Sequence, residues 1–225
     1  MMALMQLLLE ALACATVVAA APLALTPAFD RRRRGALRRI VPAVCRVLDR
    51  HAVDYWADFG TLLGFYRERD VILSDKDADL CVLDSEKPKI LALADEFRRE
   101  GLELTDSGGR SRQVLRIYDA PTRYHLDIYA YARDGATLRS ELASPQEDIP
   151  EALVAPRVSA PFLGGSIRVP ADVEAVLRHR YGHAFRTPRR GDKGATRPYS
   201  FVRSVLEDVE AGWVGIWSWL RSTVS

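Results

Sequence analysis

Three aspartates at alternate positions, Asp75, Asp77 and Asp79, constrain this chain more than any other feature. They stand in the stretch Tyr55 to Leu83, YWADFGTLLGFYRERDVILSDKDADLCVL, shortly after the small-residue segment Gly60-Thr61-Leu62-Leu63-Gly64. On an extended chain, side chains two apart point to the same face. Neighbouring carboxylates would then lie about 6–7 Å apart and repel by roughly 2–3 kcal/mol at an effective dielectric near 20. Two such pairs approach the low end of a whole domain's stability, about 5–15 kcal/mol. A cation in front of the run relieves that cost, and a divalent metal is the natural candidate. The plain alternative is a solvated strand end whose charges diverge into water.

The spacing of the other residues predicts where this run sits. Val53 to Trp56 reads as a short strand, Gly60 to Gly64 as a loop and Thr61 to Arg67 as the start of a helix. Val71 to Leu83 reads as a second strand. Before them, Leu37, Ile40, Val41, Val44, Cys45 and Leu48 recur at helical spacing, with a kink or late start expected at Pro42. After them, Lys87 to Glu100 reads as one amphipathic helix with Pro88 in its first turn and Gly101 at its end. Leu102–Leu104, Gln113–Tyr118 and Tyr124–Tyr131 read as strands, the last two joined by a turn at Asp119-Ala120-Pro121-Thr122. Ser144 to Pro161 reads as irregular and Pro-rich. Ala171–Tyr181 and Tyr199–Leu220 read as helices, the latter with an apolar stripe of Trp213, Ile216, Trp217 and Leu220 that fits core packing. Helices and strands interleave, so the expected class is α/β or α+β with one mixed sheet flanked by helices.

Bulk properties exclude several functions. A length of 225 residues supports one sizeable core, and a net charge of +2 implies no nucleic-acid partner. Cys14, Cys45 and Cys81 show neither a disulfide framework nor zinc-ligand spacing. His179 and His183 lie four apart but lack the glutamate of a zinc helix. Residues 1–30 form an apolar segment followed by Arg31 to Arg34. We read it as an N-terminal apolar helix and candidate membrane anchor, with residues 31–225 as a catalytic domain at the cytoplasmic face. The alternative is a helix packed on the domain or on a partner.

The small residues at 60–64 would let main-chain N–H groups approach a phosphate, helped by the helix N-terminus. Mg²⁺, or Mn²⁺ in its place, takes carboxylate, phosphate and water oxygens, which suits Asp75, Asp77 and Asp79. Asp127, in the strand HLDIY, shares a face with His125 and Tyr129, opposite Leu126 and Ile128. A carboxylate there needs a partner, either the metal site or Arg116 on the neighbouring strand. Arg67 follows the loop at a distance suited to a phosphate or an aspartate.

The run DFGTLLGFYRERDVILSDKDADLCV resembles the LicD/fukutin-related group of phosphotransferases, in the nucleotidyltransferase-fold superfamily. HLDIY and the later run IRVPADVEAVLRHRYGHAFRTP match further parts of that pattern, so the resemblance covers about residues 35 to 190. It implies a nucleotidyltransferase-like fold, with Asp77 and Asp79 as the core metal pair, Asp75 as an accessory carboxylate and Asp127 as another ligand and catalytic carboxylate. Gly60, Thr61, Leu62, Gly64 and Arg67 would bind the donor. The expected activity is transfer of a phospho-alcohol or phosphocholine-like group from a nucleotide-activated, CDP-type donor to a glycan or glycolipid hydroxyl. Two alternatives stand beside it. One is transfer of the nucleotidyl group from NTP to a small hydroxyl acceptor, the other an inactive membrane-tethered glycan-binding or scaffold protein. Leu73-Ser74 replaces the family's frequent Pro-Trp, Asp70 a common glycine and Phe185 a frequent tryptophan. These departures bear on the substrate more than on the chemistry.

Overall fold

The computed structural model describes residues 31–73, 75–106, 114–140 and 147–188. The expected anchor at 1–30 and the expected helix Tyr199–Leu220 with its tryptophan stripe lie outside these residues. Among the described residues, no helix is long and apolar enough to cross a membrane.

Residues 31–50 are helical (α1) and stay so through Pro42, so the expected late start does not occur. Leu37, Ile40, Val44, Cys45 and Leu48 are buried along one face, as their spacing requires. Five arginines of α1 are paired, Arg34 and Arg38 with Asp70, Arg39 with Asp119, and Arg46 and Arg50 with Glu100.

The main sheet runs β1 (Tyr55–Ala57), β2 (Ala78–Leu83), β5 (His125–Asp134), β4 (Val114–Asp119), β3 (Leu102–Asp106), with β6 (Thr137–Ser140) and β7 (Ile149–Pro150) continuing from the far end of β5. It is mixed: β2 and β5 are parallel, and the other pairs are antiparallel. Leu80, Val82, Leu115, Ile117, Leu126 and Ile128 are buried and join the same core cluster as the apolar face of α1. Alternate residues point the other way. The register places Asp79 beside Asp127, Asp127 beside Arg116 and Arg116 beside Thr105, a polar row across four strands.

Three expectations are corrected. The second strand starts at Ala78, so Asp75 and Asp77 lie in the approach to it and only Asp79 is in the strand. The stretch 87–100 divides into α3 (Lys87–Leu91) and α4 (Ala94–Arg99). Leu93 and Phe97 are buried beside Ile90, so the break turns both halves onto the core. The described part of the Pro-rich region is not irregular: after α5 (Glu151–Val154), β8 (Arg157–Phe162) and β9 (Gly165–Pro170) form a hairpin, with Gly164 at positive φ in its turn. The last described helix, α6 (Val173–Tyr181), is capped by Asp172 and ends at Gly182, also at positive φ.

Candidate active site

The segment read as a loop is helical. Helix α2 spans Phe59–Arg67, so Gly60 to Gly64 form its first two turns. Asp58 caps it, accepting from the Phe59 N–H at 2.7 Å. This changes what each small residue does. A Cβ on Gly60 would stand 2.0 Å from Oδ2 of Asp75, so the missing side chain makes room for that carboxylate at the positive end of the helix. The Thr61 hydroxyl accepts from the Asp79 N–H at 2.7 Å, tying α2 to the start of β2. Leu62 is buried in the core. Gly64 is packed against the main chain at Asp70 and Ile72. Arg67 ends the helix, where its guanidinium donates to the carbonyls of Phe185 and Thr187. Of the five residues expected to bind the donor, Gly60 and Thr61 therefore stand beside the carboxylates, whereas Leu62 and Gly64 serve packing and Arg67 holds the segment after α6.

The carboxylates do converge, though not as an extended triple. Asp77, His125 and Asp127 offer ligand atoms that all lie within 4.8 Å of one another. His125 Nε2 is 3.9 Å from Asp77 Oδ2 and 3.8 Å from Asp127 Oδ1. Asp127 is 4% exposed and meets Arg116 side-on, with Nε 2.7 Å from Oδ1 and Nη2 2.9 Å from Oδ2. Of the two partners considered for Asp127, Arg116 is in place, and Asp77 and His125 stand where they could complete a cation site. The bond to Asp127 raises the Arg116 pKa, outweighing burial. Asp79 is buried next to these groups. Burial first, then the negative charges of Asp77, Asp75, Asp127 and Asp58, hold its pKa well above the usual carboxylate range. Tyr129 and Tyr181 face the same field: burial and then Asp79 raise both phenols.

Sequence reasoning noted His125 only as a neighbour on the Asp127 face. Its position two residues before a strand carboxylate was the available signal for a ligand role. It missed Asp58 and Arg180 entirely. Arg180, in the last turn of α6, is paired with Asp58 in a fully buried contact, at 2% and 0% side-chain exposure. Asp58 could have been read as a cap directly ahead of the helical segment. Nothing in RHRYGH distinguishes Arg180 from Arg178.

Clustered carboxylates stand where β2 and β5 begin, beside the N-terminus of α2, on a mixed sheet flanked by helices, and the family match assigns this arrangement to a transferase domain of nucleotidyltransferase-like fold. The chain belongs to the LicD/FKTN/FKRP nucleotidyltransferase-domain family, which matches residues 52–172. Among curated proteins, it is 27% identical over 158 residues to "Ribitol 5-phosphate transferase FKRP" of Mus musculus and of Homo sapiens. That match covers 65% of this chain and 31% of each relative, so the chain spans about a third of their length. Among solved structures, it resembles the antibiotic-resistance factor ANT(2'')-Ia. The crystal structure with adenylyl-2''-tobramycin gives a TM-score of 0.43 at 14% identity, covering 83% of this chain and 97% of that one. The solution structure gives 0.46 at 14% identity, covering 85% and 97%.

Proposed function

We propose that this domain is a metal-dependent transferase that moves a phospho-alcohol or phosphocholine-like group from a CDP-type donor to a glycan or glycolipid hydroxyl. The observation that carries the reading is the meeting of Asp77, His125 and Asp127 beside buried Asp79. A divalent cation fits this donor set, because Asp79 sits among four other carboxylates that raise its pKa and a positive charge there offsets their repulsion. The two carboxylates suit Mg²⁺ or Mn²⁺, and the imidazole, a poor ligand for Mg²⁺, favours Mn²⁺ of the two. Asp77, His125 and Asp127 would hold it, with Asp79 and Asp75 adjacent. When bound, it would supply charge neutralisation at the transferred phosphoryl group.

The chain's own residues do the rest. Thr61 fixes the start of β2, and with it Asp79, through the Asp79 N–H. Arg116 holds Asp127 by both oxygens. Asp75, beside the first turn of α2, is the carboxylate we assign to receiving the acceptor hydroxyl proton, since Asp127 is engaged by Arg116. Arg67 acts on the donor only indirectly, through the segment it anchors.

The test is a screen of CDP-choline, CDP-ribitol and CDP-glycerol for Mg²⁺- or Mn²⁺-dependent CMP release, with Asp77→Asn as control. Release that survives Asp77→Asn overturns the site assignment. Pyrophosphate release from NTP in place of CMP would mean nucleotidyl transfer, and no divalent-dependent nucleotide binding would mean an inactive scaffold. We also propose that residues 1–30 tether the domain to the cytoplasmic face of a membrane. Equal partition into the soluble fraction by the full chain and a chain starting at Arg31 would refute it.

A further inference from the structure

We propose that Arg180 is a positioning residue of the transfer site, setting the first turn of α2 through Asp58 and thereby the placement of Thr61 and Asp79. The inference deepens the function proposed above and rests on its metal site.

The pair is a two-point contact, Arg180 Nε to Asp58 Oδ1 at 3.1 Å and Nη2 to Oδ2 at 2.7 Å. The same guanidinium donates to the Glu147 carbonyl and to the Tyr131 hydroxyl, the latter at 3.2 Å, and lies 4.5 Å from the centre of the Phe59 ring. Burying both charges is costly, and apolar residues often replace such a pair without loss of stability. Stability alone is therefore a weak reason for an arginine here.

The contacts of Asp58 show what the pair controls. Its other side-chain hydrogen bonds come from the Trp56 indole at 3.4 Å and the Phe59 N–H at 2.7 Å, both on the chain entering α2, and from the Cys81 thiol of β2 at 4.0 Å. Phe59 has φ 47°, a conformation that non-glycine residues adopt rarely and only when their surroundings impose it. The surroundings are the cap beneath it, the Arg180 guanidinium on one side and the Tyr129 ring at 5.3 Å. Tyr129 lies two residues along β5 from Asp127, on the same face. Thr61, two residues beyond Phe59, receives the Asp79 N–H. Both routes from Asp58 end at the carboxylates, one through Phe59 and Tyr129 and the other through Thr61. Arg180 itself is sealed from solvent and so orients the site without touching substrate.

Arg180→Lys keeps the charge but not the planar fork, so it tests orientation directly. Mn²⁺ affinity of the full chain would be titrated calorimetrically well below each variant's melting temperature. CMP release would be followed beside it. We expect Arg180→Lys to melt cooperatively, to bind Mn²⁺ about tenfold more weakly, the low end of what residues behind metal ligands contribute, and to lose kcat more than it changes KM. The double variant Asp58→Asn/Arg180→Met removes both charges and guards against misfolding of the first. It is expected to recover the melting temperature but not the Mn²⁺ affinity. A purely structural tie would restore both together, and that result overturns the proposal. So does a folded Arg180→Lys protein with wild-type affinity, or a wild-type protein that takes up no Mn²⁺. Wild-type protein that binds Mn²⁺ but turns over no CDP donor removes the proposed function, and the binding data then decide this inference alone.

Discussion

Replacing Gly64 with alanine should destabilise the domain, although the same change within a helix normally does the reverse. In a helix interior, alanine is favoured over glycine by about 0.8–1 kcal/mol. At Gly64 a Cβ would stand 2.4 Å from the Asp70 carbonyl oxygen and 3.2 Å from the Ile72 nitrogen, atoms of the main chain. The first distance is about 1 Å short of ordinary van der Waals contact. The obstructing segment cannot easily retreat, since Arg34 and Arg38 grip the Asp70 carboxylate and the Asp70 N–H bonds back to the Gly64 carbonyl at 3.4 Å. Overpacking of this kind costs about 1–3 kcal/mol, more where backbone must move. The net loss should be about 1–2 kcal/mol, or roughly 2–8 °C in melting temperature for a chain of this size. Gly35→Ala supplies the control, because Gly35 is also helical and its Cβ would meet nothing within 4 Å. It should gain up to about 1 kcal/mol. Calorimetric melting of both variants checks the argument, and a rise in both would refute it.

Asp79→Asn should melt above wild type without metal, because the amide needs neither ionisation nor proton uptake in this buried, negatively charged setting, and should gain less when Mn²⁺ is added; thermal shift reads both. Gly60→Ala should change stability little, since the flexible Asp75 carboxylate can swing away, but should alter Mn²⁺ affinity measured by titration. Asp70→Asn should show a pH-dependent penalty. The Arg38 hydrogen bond, the Val71 N–H and the Arg34 charge hold the Asp70 pKa below its usual value against burial. Its contribution is then complete above the unfolded value near 3.9 and is lost as pH falls through the lower folded value. With Arg38 half exposed, the gap from wild type should be about 1 kcal/mol at pH 7, closing below about pH 4. A gap that persists at pH 2 would remove that explanation.

Periodic apolar spacing made α1, β4, β5 and α6 legible, because each buries one face against a single core. The Arg116–Asp127 pair could be named because strands joined by a short turn have few possible registers. Alternation misled at Asp75 and Asp77. It fixes side-chain direction only within a strand, and here the strand begins after them, with the chain still passing the N-terminus of α2. Glycines misled at Gly60 and Gly64, where close packing and not turn geometry excludes a side chain. The β8–β9 hairpin was hidden by its prolines and weak alternation. Arg180 was hidden because its pairing with Asp58 joins segments distant in sequence, whereas His125 carried a local signal in its spacing from Asp127.

The parallel pairing of β2 with β5 has a consequence for how the molecule is made. Asp79 and Asp127 become neighbours only when that pairing closes, and β3 and β4, which separate the two strands in the chain, lie on the far side of β5 in the sheet. Such long-range closure is intrinsically slow and comes late relative to local helix formation. A partly folded chain therefore carries every ligand but has no place to grip an ion. On the proposed site, metal uptake would report on the completed sheet, and by mass action it would favour that state over every unfinished one.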